Sequence, residues 1–251
     1  MRQIEVNAPG WGHESKRLVA GLLVLAGLVA CSRPAPEPQS PEPQSPAIGG
    51  QYALAGINRD GSEYTGEFEI SALGDLLYWL EWQDPDGSYS GKGALVGDTL
   101  FAVWGSAEAQ CSAVFLSVAE DGSLDGFWFQ AQDRTPERGS MRAVPEAGDE
   151  QRGLGGRYEV TASVLGGSTF PPDLEVTALE DEFFRFRWAG EVAQDGIGDL
   201  DVDQIQVVST AGEGQCGRSR MTLDAEGNLS GTWMINDEKF RTLGREKMTR
   251  R

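Results

Sequence analysis

From residue 49 onward, apolar and polar positions alternate with a period of two, in runs of about five to nine residues. Short polar breaks interrupt the runs: "RDGS", "LGD", "DPDG", "VGD", "GSAEAQ", "EDGS" and "DRTPERG" in the first half. Glycine, aspartate and proline in such clusters favour tight turns, so the pattern predicts about eight short strands between residues 49 and 145. No 3.6-residue apolar stripe marks a helix. The chain reads as all-β.

The second half repeats the first. "GGQY" at 49–52 returns as "GGRY" at 155–158, and "EFEISALGDLLYWLEW" at 67–82 returns as "DLEVTALEDEFFRFRW" at 173–188. After a one-residue deletion, "GKG" at 91–93 meets "GIG" at 196–198, Cys111 meets Cys216 and Trp128 meets Trp233. "DGSLDGFW" and "EGNLSGTW" are the same phrase in the two copies. Internal repeats set the architecture. The expectation is one unit over 49–145, a linker over 146–154 and a second unit over 155–250. Closely spaced turns between consecutive strands favour an antiparallel meander. Eight strands is a number that closes into a small barrel, so two tandem β-barrels are expected, with β-sandwiches as the alternative. In outline each copy resembles the small avidin or lipocalin kind of up-and-down barrel.

Comparing the copies separates inside from outside, because a strand sends alternate side chains to opposite faces. Tyr78, Leu80 and Trp82 match Phe184, Phe186 and Trp188. Leu100 and Ala102 match Ile205 and Val207, and Leu124, Gly126 and Trp128 match Leu229, Gly231 and Trp233. These are the expected core faces. On the opposite parity, copy one carries Trp79, Phe101, Phe115, Phe127 and Phe129, where copy two has Arg185, Gln206, Arg220, Thr232 and Met234. The fold does not demand these aromatics, so they form a candidate partner surface, unless copy two covers them within the molecule. A smaller contrast, Trp104 against Ser209, falls on the core parity.

Ahead of the repeats, Lys16 and Arg17 precede an apolar run from Leu18 to Ala30, too short to span a bilayer. The run closes on Leu28-Val29-Ala30-Cys31, which resembles the lipobox of bacterial lipoproteins. The resemblance implies a signal peptide over 1–30, a lipid on Cys31 and anchoring in the cell envelope. Ser32, where enteric-type sorting would read an Asp as inner-membrane retention, implies the outer membrane. Residues 31–48 hold "PEPQS" twice, a proline density that favours an extended tether.

Removing residues 1–30 takes away Arg2, Lys16, Arg17, Glu5 and Glu14, so 21 basic and 39 acidic residues become 18 and 37, a net charge of −19. Such a field repels nucleic acid and suits solubility or a cationic partner. The only histidine, His13, lies in the removed segment. The mature chain therefore lacks the base of Ser-His-Asp and Cys-His catalysis and the imidazole of His-ligated zinc. "DLDVD" at 199–203 begins like a calcium loop but lacks the later Gly and Glu. "GSYSG" at 87–91 centres on Tyr89, not on a serine nucleophile. No metal, no cofactor and no enzymatic activity are expected. Cys111 and Cys216 stand at equivalent positions in an oxidising compartment: a candidate disulfide, or else two free thiols.

The sequence thus predicts a lipid-anchored envelope protein that binds or builds, through a copy-one surface or a barrel mouth. Two rivals are a carrier of a small apolar ligand within a barrel and an inhibitor of a basic envelope-degrading enzyme.

Overall fold

A computed structural model describes residues 48–105, 109–147, 153–163, 171–179, 183–190, 193–211, 214–235 and 244–251. The expected signal peptide, Cys31 and nearly all of the expected tether lie outside the described residues. Among the described residues every regular element is a strand, as the period-two pattern requires. The first eight are β1 (Gly50–Ile57), β2 (Glu63–Ala72), β3 (Leu77–Asp84), β4 (Gly87–Val96), β5 (Thr99–Gly105), β6 (Gln110–Val118), β7 (Leu124–Gln130) and β8 (Gly139–Pro145). The second eight are β9 (Gly156–Ala162), β10 (Asp173–Ala178), β11 (Phe183–Ala189), β12 (Gln194–Asp201), β13 (Gln204–Ala211), β14 (Cys216–Leu223), β15 (Leu229–Ile235) and β16 (Gly244–Arg250).

The strands close into two antiparallel eight-stranded barrels, but the barrels are not the two repeats. Strands β6 to β13 form one barrel, a meander of consecutive neighbours closed by β13 on β6. It is inserted into a host barrel made of β1–β5 and β14–β16, which closes by pairing β5 with β14 and β1 with β16. Each repeat gives five strands to one barrel and three to the other. The expected assignment of 49–145 and 155–250 to separate barrels is therefore corrected. The stretch 146–154 is no linker between barrels: it connects β8 to β9, which pair within the inserted barrel. The physical reason is that equivalent strands of the two copies present the same edges and the same apolar face. Exchanging the last three strands between copies conserves every neighbour type.

Each barrel is filled by its own side chains. The host core includes Tyr52, Phe68, Leu80, Trp82, Leu100, Met221 and Met248; the inserted core includes Val114, Trp128, Tyr158, Phe186, Trp188 and Val207. Burying each large apolar side chain contributes about 2 kcal/mol. One end of each barrel is plugged in the same way. The Tyr52 hydroxyl donates to the Ile48 carbonyl at 2.6 Å, and the Tyr158 hydroxyl donates to that of Leu154 at 2.8 Å. This explains the paired "IGGQY" and "LGGRY".

At the other end, aromatic rings lie across glycines on neighbouring strands. Trp104 covers Gly217, Trp233 covers Gly244, Trp128 covers Gly139 and Tyr64 covers Gly56. A Cβ at any of these glycines would overlap the ring, so the small residue is what lets the ring lie flat on the sheet. "DGSLDGFW" and "EGNLSGTW" encode this arrangement. Gly122 and Gly227, at φ +79° and +83°, make the turn, and the strand that follows carries the ring-bearing Trp128 or Trp233.

Candidate ligand-binding site

Cys111 on β6 and Cys216 on β14 form a disulfide with Cα atoms 5.7 Å apart. It joins the two points at which the chain enters and leaves the inserted barrel.

That crossing decides the fate of the five aromatics. Trp79, Phe101, Phe115, Phe127 and Phe129 do point away from their barrel interiors, but Trp79, Phe101 and Phe115 are only 7–8% exposed and Phe129 is fully buried. Phe101, Phe115 and Phe129 belong to a third core, between the barrels, with Leu77, Val103, Ala113 and Val208, and the half-buried Phe127 packs against it. Phe101 of the host meets Phe115 of the inserted barrel at 5.5 Å between ring centroids, and Phe115 stacks on Phe127 at 4.9 Å. Arg134 covers Trp79 at 4.8 Å. The expected exposed partner surface is thus corrected to an intramolecular seam. Parity tells the inside of a barrel from the outside; it does not tell whether the outside meets water.

Of the copy-two residues at matching positions, Arg220 lies over the Phe101 ring at the polar flank of the same seam. Arg218 on β14 pairs with Asp199 on β12, and Arg220 pairs with Asp201. This is what "DLDVD" does: two of its carboxylates hold the barrels together. Lys92, fully buried beside the Phe129 ring, pairs with Asp133.

Two lateral grooves occupy equivalent outer faces. On the host, a groove of about 380 Å³ is lined by Glu67, Glu69, Glu81, Gln51 and Arg251. On the inserted barrel, a groove of about 690 Å³ carries Asp173, Glu175, Arg187, Arg157 and Glu146 at the matching positions.

The ring-bearing end of the host barrel differs from that of the inserted barrel. Trp82, Tyr89 and Trp104 pack together with centroid separations of 5.2–6.0 Å, Trp82 and Tyr89 being stacked. Tyr64, Tyr89, Trp104 and Trp233 are all half-buried there. Among them Glu246 of β16 is only 6% exposed, and it accepts a hydrogen bond from the Tyr64 hydroxyl at 2.8 Å. The Trp82 indole adds a polar contact to the carboxylate. Among the described residues, however, no group reaches Oε2 in hydrogen-bond geometry. Burial, and next the negative charge of Asp84, push the Glu246 carboxyl up to about 7, against the pull of Tyr64 and Trp82. Tyr64 and Tyr89 are raised too, first by burial and then by the charge of Glu246.

Among its described residues, the inserted barrel keeps Trp128 in the place of Trp233 but lacks the carboxylate and the rings of Tyr89 and Trp104. Its β7–β8 register puts Met141 where the host has Glu246. Ser209 stands for Trp104 and Gln194 for Tyr89, and the Ser209 hydroxyl donates to Gln194 at 3.2 Å, so Gln194 takes the space. Sequence reasoning passed over Glu246, though its signal was present: in "GREKMTR", Glu246 shares the parity of core residue Met248. A scan against protein-family models finds no match to this chain, and a search of curated proteins finds none.

Proposed function

We propose that the chain is a lipid-anchored protein of the cell envelope, held at the outer membrane through Cys31. Its double barrel acts as a binding module whose ligand site is the ring-bearing end of the host barrel. The observation that carries this reading is the difference between two copies of one fold. The host barrel sets Tyr64, Tyr89, Trp104 and Trp233 around the buried Glu246 carboxylate; the inserted barrel keeps Trp128 in the place of Trp233 but has Met141, Ser209 and Gln194 in the places of Glu246, Trp104 and Tyr89. A charged group in an apolar site costs stability unless it is paired, so its retention is better explained by use than by folding. The filled interiors of both barrels favour a ligand bound at the mouth over an apolar ligand carried inside. Two experiments test the reading. Radiolabelled palmitate should enter the wild type and not Cys31→Ser. Envelope small-molecule extract passed over the immobilised wild type and over Trp104→Ser/Glu246→Met should yield a compound retained only by the former. Equal retention by both would remove the mouth as the site.

One observation favours a second reading, a cationic protein partner. The host's lateral groove carries Glu67, Glu69 and Glu81, whereas the inserted barrel has Arg187 in place of Glu81 and Arg157 in place of Gln51. Binding of lysozyme that is lost in Glu69→Lys/Glu81→Lys and in high salt would support it.

A further inference from the structure

We infer that the mouth of the host barrel takes a small organic cation, a quaternary or primary ammonium group, with Glu246 as its counter-ion and Tyr64, Tyr89, Trp104 and Trp233 as its walls. The inference rests on the reading of this end as a binding site and names the ligand's chemistry. A neutral apolar ligand would need no carboxylate. A cation uses both: the π-faces attract it, and a desolvated carboxylate supplies the charge. The Glu246 carboxylate has one oxygen held by Tyr64 and one left without a hydrogen-bond donor. An ammonium group would satisfy that second oxygen or neutralise it at short range.

The groups that face Glu246 from neighbouring elements fit this role. Asp84, at the end of β3, adds negative charge, and the hydroxyls of Tyr64 on β2 and Tyr89 on β4 are held neutral by burial. No cationic side chain among the described residues pairs with Glu246. Because the carboxyl titrates near neutrality, it is mostly protonated at pH 6 and mostly ionised at pH 8. Cation binding should strengthen with pH across that interval and release protons where the carboxyl begins protonated.

The test uses the intact chain and two probes of nearly the same shape: choline and its uncharged isostere 3,3-dimethyl-1-butanol. Binding is read by tryptophan fluorescence and by calorimetry in two buffers of different ionisation heat. The expected result is saturable choline binding at pH 8, about ten-fold weaker at pH 6, and at least ten-fold weaker in Glu246→Met. The isostere should bind at least ten-fold more weakly than choline. Met141 already occupies the matching place in the inserted barrel, and a thermal melt confirms that the variant folds. If the isostere binds as tightly as choline, the cation inference is overturned while the mouth stands as a binding site. If neither probe binds, the cation inference falls, and the extract experiment decides the mouth separately.

Discussion

Cys111 and Cys216 occupy equivalent positions in the two repeats and are bonded to each other, 105 residues apart in sequence. The loop they close contains nearly the whole inserted barrel. Cross-linking a loop of this length removes chain entropy from the unfolded state, worth about 5 kcal/mol. Cys111→Ser/Cys216→Ser should lower the unfolding free energy by about that amount in urea titrations, with the far-UV spectrum unchanged. A loss under 1 kcal/mol would mean that the crossing strands hold the barrels together without the bond.

Glu246 sets the sign of a pH effect. Its carboxyl is raised from 4.5 to about 7, chiefly by burial. The folded chain therefore keeps a proton that the unfolded chain has lost between those values. The group's contribution is fully present below pH 4.5 and disappears as pH rises through 7. The gap amounts to roughly 3 kcal/mol. Measured against Glu246→Gln at each pH, the wild type should lose about that much between pH 4.5 and 7.5. Parallel curves for the two proteins would place the carboxylate in a more solvated setting.

Much of this architecture could be read from the chain, and the failures have physical causes. Strand faces were legible because alternation in Tyr78, Leu80 and Trp82 is matched by Phe184, Phe186 and Trp188. The exchange of strands was not, because β6 and β14 offer interchangeable edges to β5 and β13. The seam was half legible: Phe101 and Phe115 stood out as aromatics on the outward parity, but nothing local reveals that the two outward faces meet. Glu246 was legible in principle, as an acid on a core parity opposite Met141. A glutamate between Arg245 and Lys247 reads first as a solvated face.

The polar flank of the seam should show strong coupling. Arg218 and Asp199 have side chains only 12% and 19% exposed, so removing one leaves the other charge poorly solvated. Arg218→Ala or Asp199→Ala alone should cost about 2–3 kcal/mol. The double-mutant cycle should return about 1–2 kcal/mol of interaction, measured by urea unfolding. On the apolar flank, Phe115→Ala should cost about 3–4 kcal/mol, through lost transfer energy and the cavity left between the barrels. A coupling energy near zero would mean that the pair is solvated despite its low exposure.

The hairpin joining β12 to β13 carries its own strain. Asp201 and Gln204 pair across it, leaving Val202 and Asp203 as a two-residue turn. Val202 has φ +58°, a left-handed conformation that a β-branched residue adopts at a cost of about 1–2 kcal/mol. The matching hairpin, between β4 and β5, has Gly97 at φ +63° in that place. Val202 is 93% exposed, so its side chain gains almost nothing from packing in return. Val202→Gly should therefore raise the unfolding free energy by about 1 kcal/mol, because the relieved strain exceeds the added flexibility of glycine in the unfolded chain. Gly97→Val should lower it by about 1–2 kcal/mol, since it installs the same strain in the other hairpin. Both changes can be read from urea midpoints at constant slope. If Val202→Gly leaves the midpoint unchanged or lowers it, the valine is not strained in solution and the turn there departs from its counterpart at Gly97.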